Sequence, residues 1–284
     1  MRTLHIDTGR TMQGGQWQVL YLVERLEGAR LLAPAGSPLL REARGRGVDA
    51  RPLGTFLGEL TGIDLIHAHD SRAHTYGAIA SLGRSARPLV VSRRVAFPIK
   101  QSIVSGWKYL QASMYLAVSR YAAGKLSDAG IGQGVIRVVY DGIPIPATPA
   151  KPELGRVVAV PGKYQDIPGV PVHLTNNLFG DLQTASVFLY VSKIEGLGSA
   201  AIAAMASGVP VVASGVGGLT EVVEDERTGL IVRDGDYATA VRRLLDNPAL
   251  AAEMGAVGRV KAIREFSVEK MVESTISAYN EILR

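Results

Sequence analysis

Ser192-Lys193-Ile194-Glu195-Gly196-Leu197-Gly198-Ser199-Ala200 follows the aliphatic run Val187–Val191 and opens directly into a helical pattern. That pattern, Ala200–Ser207, stops at Gly208, the residue type that closes helices in the left-handed region, with Pro210 beyond it. Strand, glycine turn and helix form the repeating unit of a parallel α/β sheet. Unpaired N–H groups at such a helix start, with the helix dipole behind them, make a site for phosphate, and glycines let an anion approach the backbone. Glu195 disfavours phosphate at the entrance, so its expected partner is a hydroxyl, as on a sugar. The competing reading is a tight strand–helix turn in which Glu195 caps the helix. One βα unit later, Ser214-Gly215-Val216-Gly217-Gly218-Leu219-Thr220-Glu221 places a second glycine turn between a strand and a helix start.

The same grammar extends over the whole chain. In the first half, Thr3–Asp7, Ala29–Leu32, Leu65–Ala68, Leu89–Ser92, Leu116–Ser119 and Ile136–Tyr140 read as strands, with helical stretches Gln16–Glu27, Leu39–Arg46 and Arg120–Ala129 between them. In the second half, Arg156–Pro161, Val187–Val191, Pro210–Ala213 and Leu230–Val232 read as strands. Pro144, Pro146, Pro149 and Pro152 stiffen the intervening segment, which marks the expected boundary. The expected domains are 1–145 and 153–266, with a last helix over 267–284 that starts at the N-cap Ser267, where Phe266 can pack on Met271. Two such domains are expected to face a cleft at the C-terminal ends of their strands, where parallel sheets bind ligands.

Composition narrows the chemistry. The 284 residues contain no cysteine, which excludes disulfides, thiolate metal sites and thiol nucleophiles. Residues 1–150 hold 18 basic and 10 acidic side chains, a surplus of eight. Residues 151–284 hold 13 and 16, a deficit of three. The opening Met1-Arg2-Thr3-Leu4-His5-Ile6-Asp7 reads as a strand and not as a secretory signal. The 25-residue uncharged span Gly196–Thr220 is cut by glycines and Pro210, so no spanning helix is expected. The expected location is the cytoplasm, with peripheral contact to the inner face of the membrane.

Taken as a set, several segments resemble one family. Glu195-Gly196-Leu197-Gly198, the run Ala204 to Val223, Thr228-Gly229-Leu230-Ile231-Val232 and Phe266-Ser267-Val268-Glu269-Lys270-Met271 look like the donor half and closing helix of retaining glycosyltransferases of family four. Gly14-Gly15-Gln16, Ile66-His67-Ala68-His69-Asp70, Ala117-Val118-Ser119 and Val138-Val139-Tyr140-Asp141-Gly142 match its landmarks in the same order. The resemblance implies a GT-B-like fold of two Rossmann-type domains. It implies that Gly14 and Gly15 lie beneath the donor diphosphate and that His69 sits beside the reacting sugar. It also implies that Gly196, Leu197, Gly198 and Ser199 offer N–H groups to phosphate, that Glu195 contacts the sugar, and that Glu221 lies near the nucleoside or sugar.

The chain departs from the family pattern twice. A second glutamate that holds the ribose belongs eight residues after Glu195, where Ala203 stands. The second domain is also abbreviated between Arg156 and Leu182, where the family places an Arg…Lys pair on the leaving diphosphate. Lys163 is the remaining candidate and Arg156 a poorer one. These departures favour the alternative of a catalytically inactive relative that binds nucleotide sugars or serves as a partner subunit. A 2-epimerase of the same fold is a third option.

In His67-Ala68-His69-Asp70-Ser71-Arg72-Ala73-His74, alternate spacing puts His67 and His69 on one side of an extended segment, which also suits a metal site or a polar strand-end cluster. No later run supplies further ligands, and the acceptor-side reading with Asp70, Arg72 and Arg94 is preferred, without metal. Asp234-Gly235-Asp236 mimics an acidic metal motif but is better read with Asp236 as the N-cap of Tyr237–Leu245. Arg84, Arg87, Arg93, Arg94, Lys100 and Lys108 interleave with Phe97, Ile103, Trp107, Tyr109 and Leu110. That mixture suits an anionic membrane surface or an acidic glycolipid acceptor, against the bland alternative of a solvated face; no nucleic-acid motif accompanies it. The expected activity is metal-independent, retaining transfer of a sugar from a nucleotide-diphosphate donor, as co-substrate, to a glycan or glycolipid acceptor, with cell-envelope synthesis as the setting.

Overall fold

The structure, a computed structural model, describes residues 1–82, 87–95, 97 and 103–284. The chain divides into two compact units, Met1–Val139 with Met271–Arg284, and Tyr140–Lys270.

Among the described residues of the first unit, seven strands form one parallel sheet: β1 Thr3–Ile6, β2 Ala29–Ala33, β3 Asp49–Pro52, β4 Leu65–Ala68, β5 Leu89–Arg93, β6 Met114–Ala117 and β7 Ile136–Val138. Their order is β3-β2-β1-β4-β5-β6-β7. β1, β4 and β6 are buried along their whole length, because helices cover both faces and a doubly covered strand must be apolar on both sides. On one side Val19, Leu20 and Val23 of the helix Gly14–Val23 pack with Leu31, Ala33, Leu39, Leu40 and Ala43. Helix starts are set by short polar caps: Ser37, Asp70 and Ser119 accept N–H groups from the first turns that follow them.

The second unit repeats the scheme with five described parallel strands: β8 Val157–Ala159, β9 Val172–Leu174, β10 Val187–Tyr190, β11 Val211–Ser214 and β12 Gly229–Val232, in the order β12-β11-β10-β8-β9. Val157, Val187, Leu189, Val212, Leu230, Val241, Leu244 and Met254 build its core. The helix Pro248–Phe266 begins with Asn247 as N-cap and proline in its first turn, and it lies against the helix Ser199–Ala206. That contact requires Gly255, where a Cβ would stand 2.1 Å from the Gly208 carbonyl oxygen.

The proline-rich stretch after Tyr140 is stitched into the second unit and is no free linker. Ile143 N–H donates to Phe266 O at 2.8 Å, Ala150 N–H to Ser207 O at 2.7 Å, and Lys151 N–H to Gln183 O at 2.8 Å. Prolines lack an N–H, so the residues between them supply these bonds. Ser267 Oγ accepts the Lys270 N–H at 3.2 Å and starts the helix Val268–Leu283. From Met271 onward that helix belongs to the first unit, where Tyr279 is fully buried. No described helix is long and apolar enough to cross a membrane.

Each sheet has one place where strand order reverses, and the loops leaving the two flanking strands diverge there. In the first unit it lies between β1 and β4, and in the second between β8 and β10. The expected outcome for Gly255→Ala is a loss of about 2–3 kcal/mol, since overpacking against rigid backbone has no side chain to yield. Urea unfolding measures it, and a change below about 0.5 kcal/mol would contradict the close contact.

Candidate functional site

At the reversal point of the first unit, a cavity of about 350 Å³ is lined by Asp7, Gln13, Gly15, Gln16, His69, Asp70, Ser71, Ser92, Arg93, Arg94, Tyr109 and neighbours. Asp70 is the N-cap of the helix Ser71–Ala80; Oδ1 accepts from Thr8 Oγ1 and from the Arg72 and Ala73 N–H groups, and Oδ2 from the Thr8 N–H. Asp7 is held by the Gly9 N–H at 2.8 Å and the Gln16 amide at 3.2 Å, and burial pushes its carboxyl upward. Gly14 and Gly15 open the helix Gly14–Val23, and a Cβ on either would meet nothing within 4 Å. The fold itself therefore does not require glycine there. Arg72 is exposed and contributes only its N–H, so its side chain is not gathered into the cavity.

Beneath His69 runs a chain of imidazoles. Register pairs His5 on β1 with His67 on β4. Arg94 lies 3.3 Å from His69 Nδ1, His69 Nε2 is 3.0 Å from His5 Nδ1, and His5 Nε2 is 3.0 Å from Thr3 Oγ1. A guanidinium only donates, so His69 Nδ1 accepts. His69 Nε2–H then donates to His5 Nδ1, and His5 Nε2–H to Thr3. In parallel, His67 bonds the Tyr279 hydroxyl at 2.6 Å and Ser92 Oγ at 2.8 Å. Nitrogens of His5, His67 and His69 lie within 4.8 Å of one another, the one such cluster of metal-ligand type among the described residues. Each of the six ring nitrogens already has a hydrogen-bond partner. Burial keeps all three rings neutral: it lowers His5 to about 3 and holds His67 and His69 well below the ordinary histidine range. Sequence reading paired His67 with His69 and missed His5, because strand register is not written in local spacing.

At the reversal point of the second unit, Lys163 follows β8 and Glu195 follows β10. Lys163 Nζ donates to Ser192 Oγ at 2.7 Å and pairs with Glu195 Oε2 at 3.1 Å. The same carboxylate oxygen accepts the Tyr190 hydroxyl at 2.9 Å, while Oε1 accepts the Gly196 N–H at 3.2 Å. Burial beside this carboxylate raises Tyr190 and keeps it a donor. Gly198 enters the helix Ser199–Ala206 at φ 102° without a side-chain cap. Among the described residues no protein acceptor takes the N–H groups of Leu197, Gly198, Ser199 or Ala200. Leu197 is buried.

The second glycine turn has a different physical cause from the first. A Cβ on Gly217 or Gly218 would stand 2.1 Å from the carbonyl oxygens of Glu195 and Gly196, so these glycines let one turn's backbone lie on the other's. Gly218 N–H donates to Glu195 O at 3.1 Å across that contact. Glu221 accepts the Tyr140 hydroxyl at 3.0 Å. Arg156 is not gathered in: it precedes β8, at the opposite end of the strand from Lys163, and pairs with Asp181 at 3.0 Å. Ala203 is fully buried inside its helix. Asp236 accepts the Thr239 N–H at 3.0 Å as an N-cap. Of the basic stretch, Arg84, Lys100 and the Ile103 side chain lie outside the described residues. Arg87 bonds Ile63 O, Arg93 and Arg94 line the cavity, and Phe97 and Leu110 are exposed.

Residues 13–145 match the family model described as Glycosyltransferase Family 4, and residues 162–247 match that described as Glycosyl transferases group 1. Alpha-maltose-1-phosphate synthase of Mycolicibacterium smegmatis is 38% identical over 122 residues, 40% of this chain and 31% of that protein. D-inositol 3-phosphate glycosyltransferase of Acidothermus cellulolyticus is 32% identical over 211 residues, 72% of this chain and 46% of that protein. The chain therefore spans less than half the length of these relatives. The crystal structure of Anabaena HepE in complex with UDP-glucose superposes with a TM-score of 0.84 at 17% identity, covering 99% of this chain and 100% of that one. The α/β fold is that of the GT-B glycosyltransferases.

Two outcomes follow from the imidazole chain. His5→Phe leaves the His69 Nε2–H without an acceptor and is expected to cost about 2–3 kcal/mol, read by urea unfolding. In the unfolded chain the three imidazoles protonate near pH 6.5, whereas the folded chain resists protonation down to about pH 3 at His5. Stability is therefore complete above about pH 6.5 and falls with acidification, by up to ~1.4 kcal/mol per pH unit for each ring. Melting by circular dichroism between pH 8 and pH 4 checks this; a flat profile would show that the rings are not held neutral.

Proposed function

Because the chain belongs to the family-four, group 1 glycosyltransferases, we propose that it transfers a sugar from a nucleotide-diphosphate donor to an acceptor. The observation that carries the reading is the second unit's reversal point. It combines a cation, Lys163, with a helix start of unshared N–H groups and with Glu195, a carboxylate ready to accept sugar hydroxyls. N–H groups of Leu197 through Ser199 bind the diphosphate, Lys163 and the helix dipole stabilise it as it leaves, and Glu195 orients the sugar. Glu221, already held by Tyr140, lies toward the nucleoside or sugar.

In the first unit, His69, Asp70 and Arg94 face the acceptor, and the space above Gly14 and Gly15 is kept for ligand approach. Transfer retains the anomeric configuration: the acceptor oxygen bonds the anomeric carbon on the face from which the diphosphate departs, and a diphosphate oxygen takes the acceptor proton. No metal is needed, since Lys163 and backbone N–H groups carry the charge and the His5–His67–His69 nitrogens are already engaged with one another and their neighbours. The exposed Phe97 and Leu110 beside the basic stretch favour an acceptor at an anionic membrane surface, such as an envelope glycolipid. Ala203, buried where a second acid would hold the ribose, favours the alternative of a relative that binds without transferring.

Thermal shift with UDP-, GDP- and ADP-sugars on wild type and Lys163→Ala tests the reading. One nucleotide class is expected to raise the melting temperature of wild type, with affinity reduced about tenfold or more in Lys163→Ala, as for loss of a charge-assisted contact. EDTA is expected to leave turnover unchanged. No response to any nucleotide sugar would sink the proposal, and a response without hydrolysis or transfer over an acceptor panel would favour the inactive relative.

A further inference from the structure

Residues 3–7 put Thr3, His5 and Asp7 on one face of an otherwise aliphatic strand, alternating with Leu4 and Ile6 on the other. All five are buried. Three polar side chains in succession on one face of a buried strand are costly unless each is bonded. Asp7 reaches the cavity, and Thr3 and His5 do not line it. His5 is fully buried, and its Nε2 is 3.0 Å from Thr3 Oγ1.

His69 meets the cavity with one nitrogen and the core with the other. Nδ1 is 3.3 Å from Arg94 Nη1, and Nε2 is 3.0 Å from His5 Nδ1. Among the described residues His5 is the one partner of that Nε2. The sheet sets the distance: the His69 N–H donates to Ile6 O at 3.0 Å, and the two rings lie 13° from parallel. Burial keeps both rings neutral, so each donates at one nitrogen and accepts at the other. If the core side of His69 had no acceptor, its proton would be stranded there or would move to Nδ1. A stranded N–H is a buried unsatisfied donor. A proton on Nδ1 would set an N–H against a guanidinium that itself only donates.

We propose that His5 is a positioning residue of the candidate site. By accepting the His69 Nε2–H it holds His69 with a bare Nδ1 toward Arg94, so the cavity meets an acceptor at this point and not a donor. His5 touches no ligand and acts through His69 alone. A hydroxyl that displaces Arg94 finds a lone pair to donate to, whereas a carboxylate or phosphate oxygen finds none of the protons it needs. The effect on turnover rests on the glycosyltransferase reading; the tautomer does not.

His5→Asn, His5→Gln and His5→Phe test the proposal in the full chain. An asparagine oxygen falls where the imidazole Nδ1 was, while a glutamine head falls near the former Nε2, beside Thr3. Long-range proton–nitrogen NMR spectra, with His69 identified by its loss in His69→Gln, report which nitrogen is protonated. Wild type and His5→Asn are expected to carry the His69 proton on Nε2, and His5→Gln and His5→Phe to carry it wholly or partly on Nδ1. Turnover is read as nucleoside diphosphate released from UDP-, GDP- or ADP-glucose, whichever wild type consumes. kcat is expected to fall about tenfold or more in His5→Gln and His5→Phe, with a smaller change in KM, and to stay within about threefold of wild type in His5→Asn. A packing role would rank the variants by lost volume and make asparagine the worst. That ranking would overturn the proposal. So would a wild-type His69 protonated on Nδ1, a result that needs no variant to fold. So would a His5→Phe, folded by circular dichroism, that keeps the wild-type tautomer or loses it with turnover unchanged. If no donor is consumed, the glycosyltransferase reading fails, and the spectra still decide whether His5 sets the tautomer.

Discussion

A parallel sheet buried on both faces keeps charged side chains out of its central strands and sends them to the strand ends and the solvent side of its helices. Both units obey that constraint. Asp7 follows β1, His69 and Asp70 follow β4, and Arg93 closes β5; in the second unit Lys163 follows β8 and Glu195 follows β10. Where strand order reverses, the two adjacent loops diverge and these groups collect in a space the backbone cannot fill. Chemistry at these points is thus a consequence of packing.

His5 and His67 break the pattern, since they lie inside β1 and β4 and are fully buried. Three histidines in a core are tolerable only as neutral rings with every nitrogen bonded. The directional chain from Arg94 through His69 and His5 to Thr3 meets that requirement and fixes one tautomer for each ring in it. A consequence is that His69 presents no spare nitrogen while Arg94 stays in place. Under the proposed function, its contribution to an acceptor depends on where it holds Arg94, or on a ligand that displaces Arg94. The Tyr279 hydroxyl fixes His67, and through it Ser92 on the cavity wall, so the last helix of the chain reaches the site by two hydrogen bonds.

Legibility in the sequence followed burial. Ten strands were readable because central strands are continuous aliphatic runs, and the helix Tyr237–Leu245 was readable to the residue from its cap. The two strands that escaped, β3 and β9, each lie at one edge of their sheet, as do β7 and β12, which were read. Asp49-Ala50-Arg51-Pro52 is largely polar and Val172-His173-Leu174 is only three residues long with a histidine at its centre, so neither makes the continuous aliphatic run of a buried strand. At the candidate sites, the positions of Glu195, Lys163 and His69 just beyond strand ends were readable. Two things were not. A glycine turn proposed to face a ligand and one that packs on backbone share one spelling, and only the structure shows the 2.1 Å approach of Gly217 and Gly218 to the neighbouring turn. Arg156 and Lys163 looked like alternatives in sequence, yet a strand of three residues puts them at opposite ends of β8.

The Lys163–Glu195 pair gives the proposed donor site a selectivity that neither residue has alone. Each unit of phosphate charge brought to ~4 Å from Glu195 costs about 4 kcal/mol at an effective dielectric of 20, and the same distance to Lys163 returns about as much. Bare phosphate therefore gains little from the pair. A ligand with phosphate on the Lys163 side and hydroxyls on the Glu195 side gains from both, because hydroxyls donate to the carboxylate where phosphate oxygens only repel it. Tyr190 and the Gly196 N–H already hold that carboxylate in place, so little is lost in ordering it. Under the proposed function the arrangement favours an intact sugar diphosphate over the nucleotide left after transfer, a bias toward binding the donor and releasing the spent product.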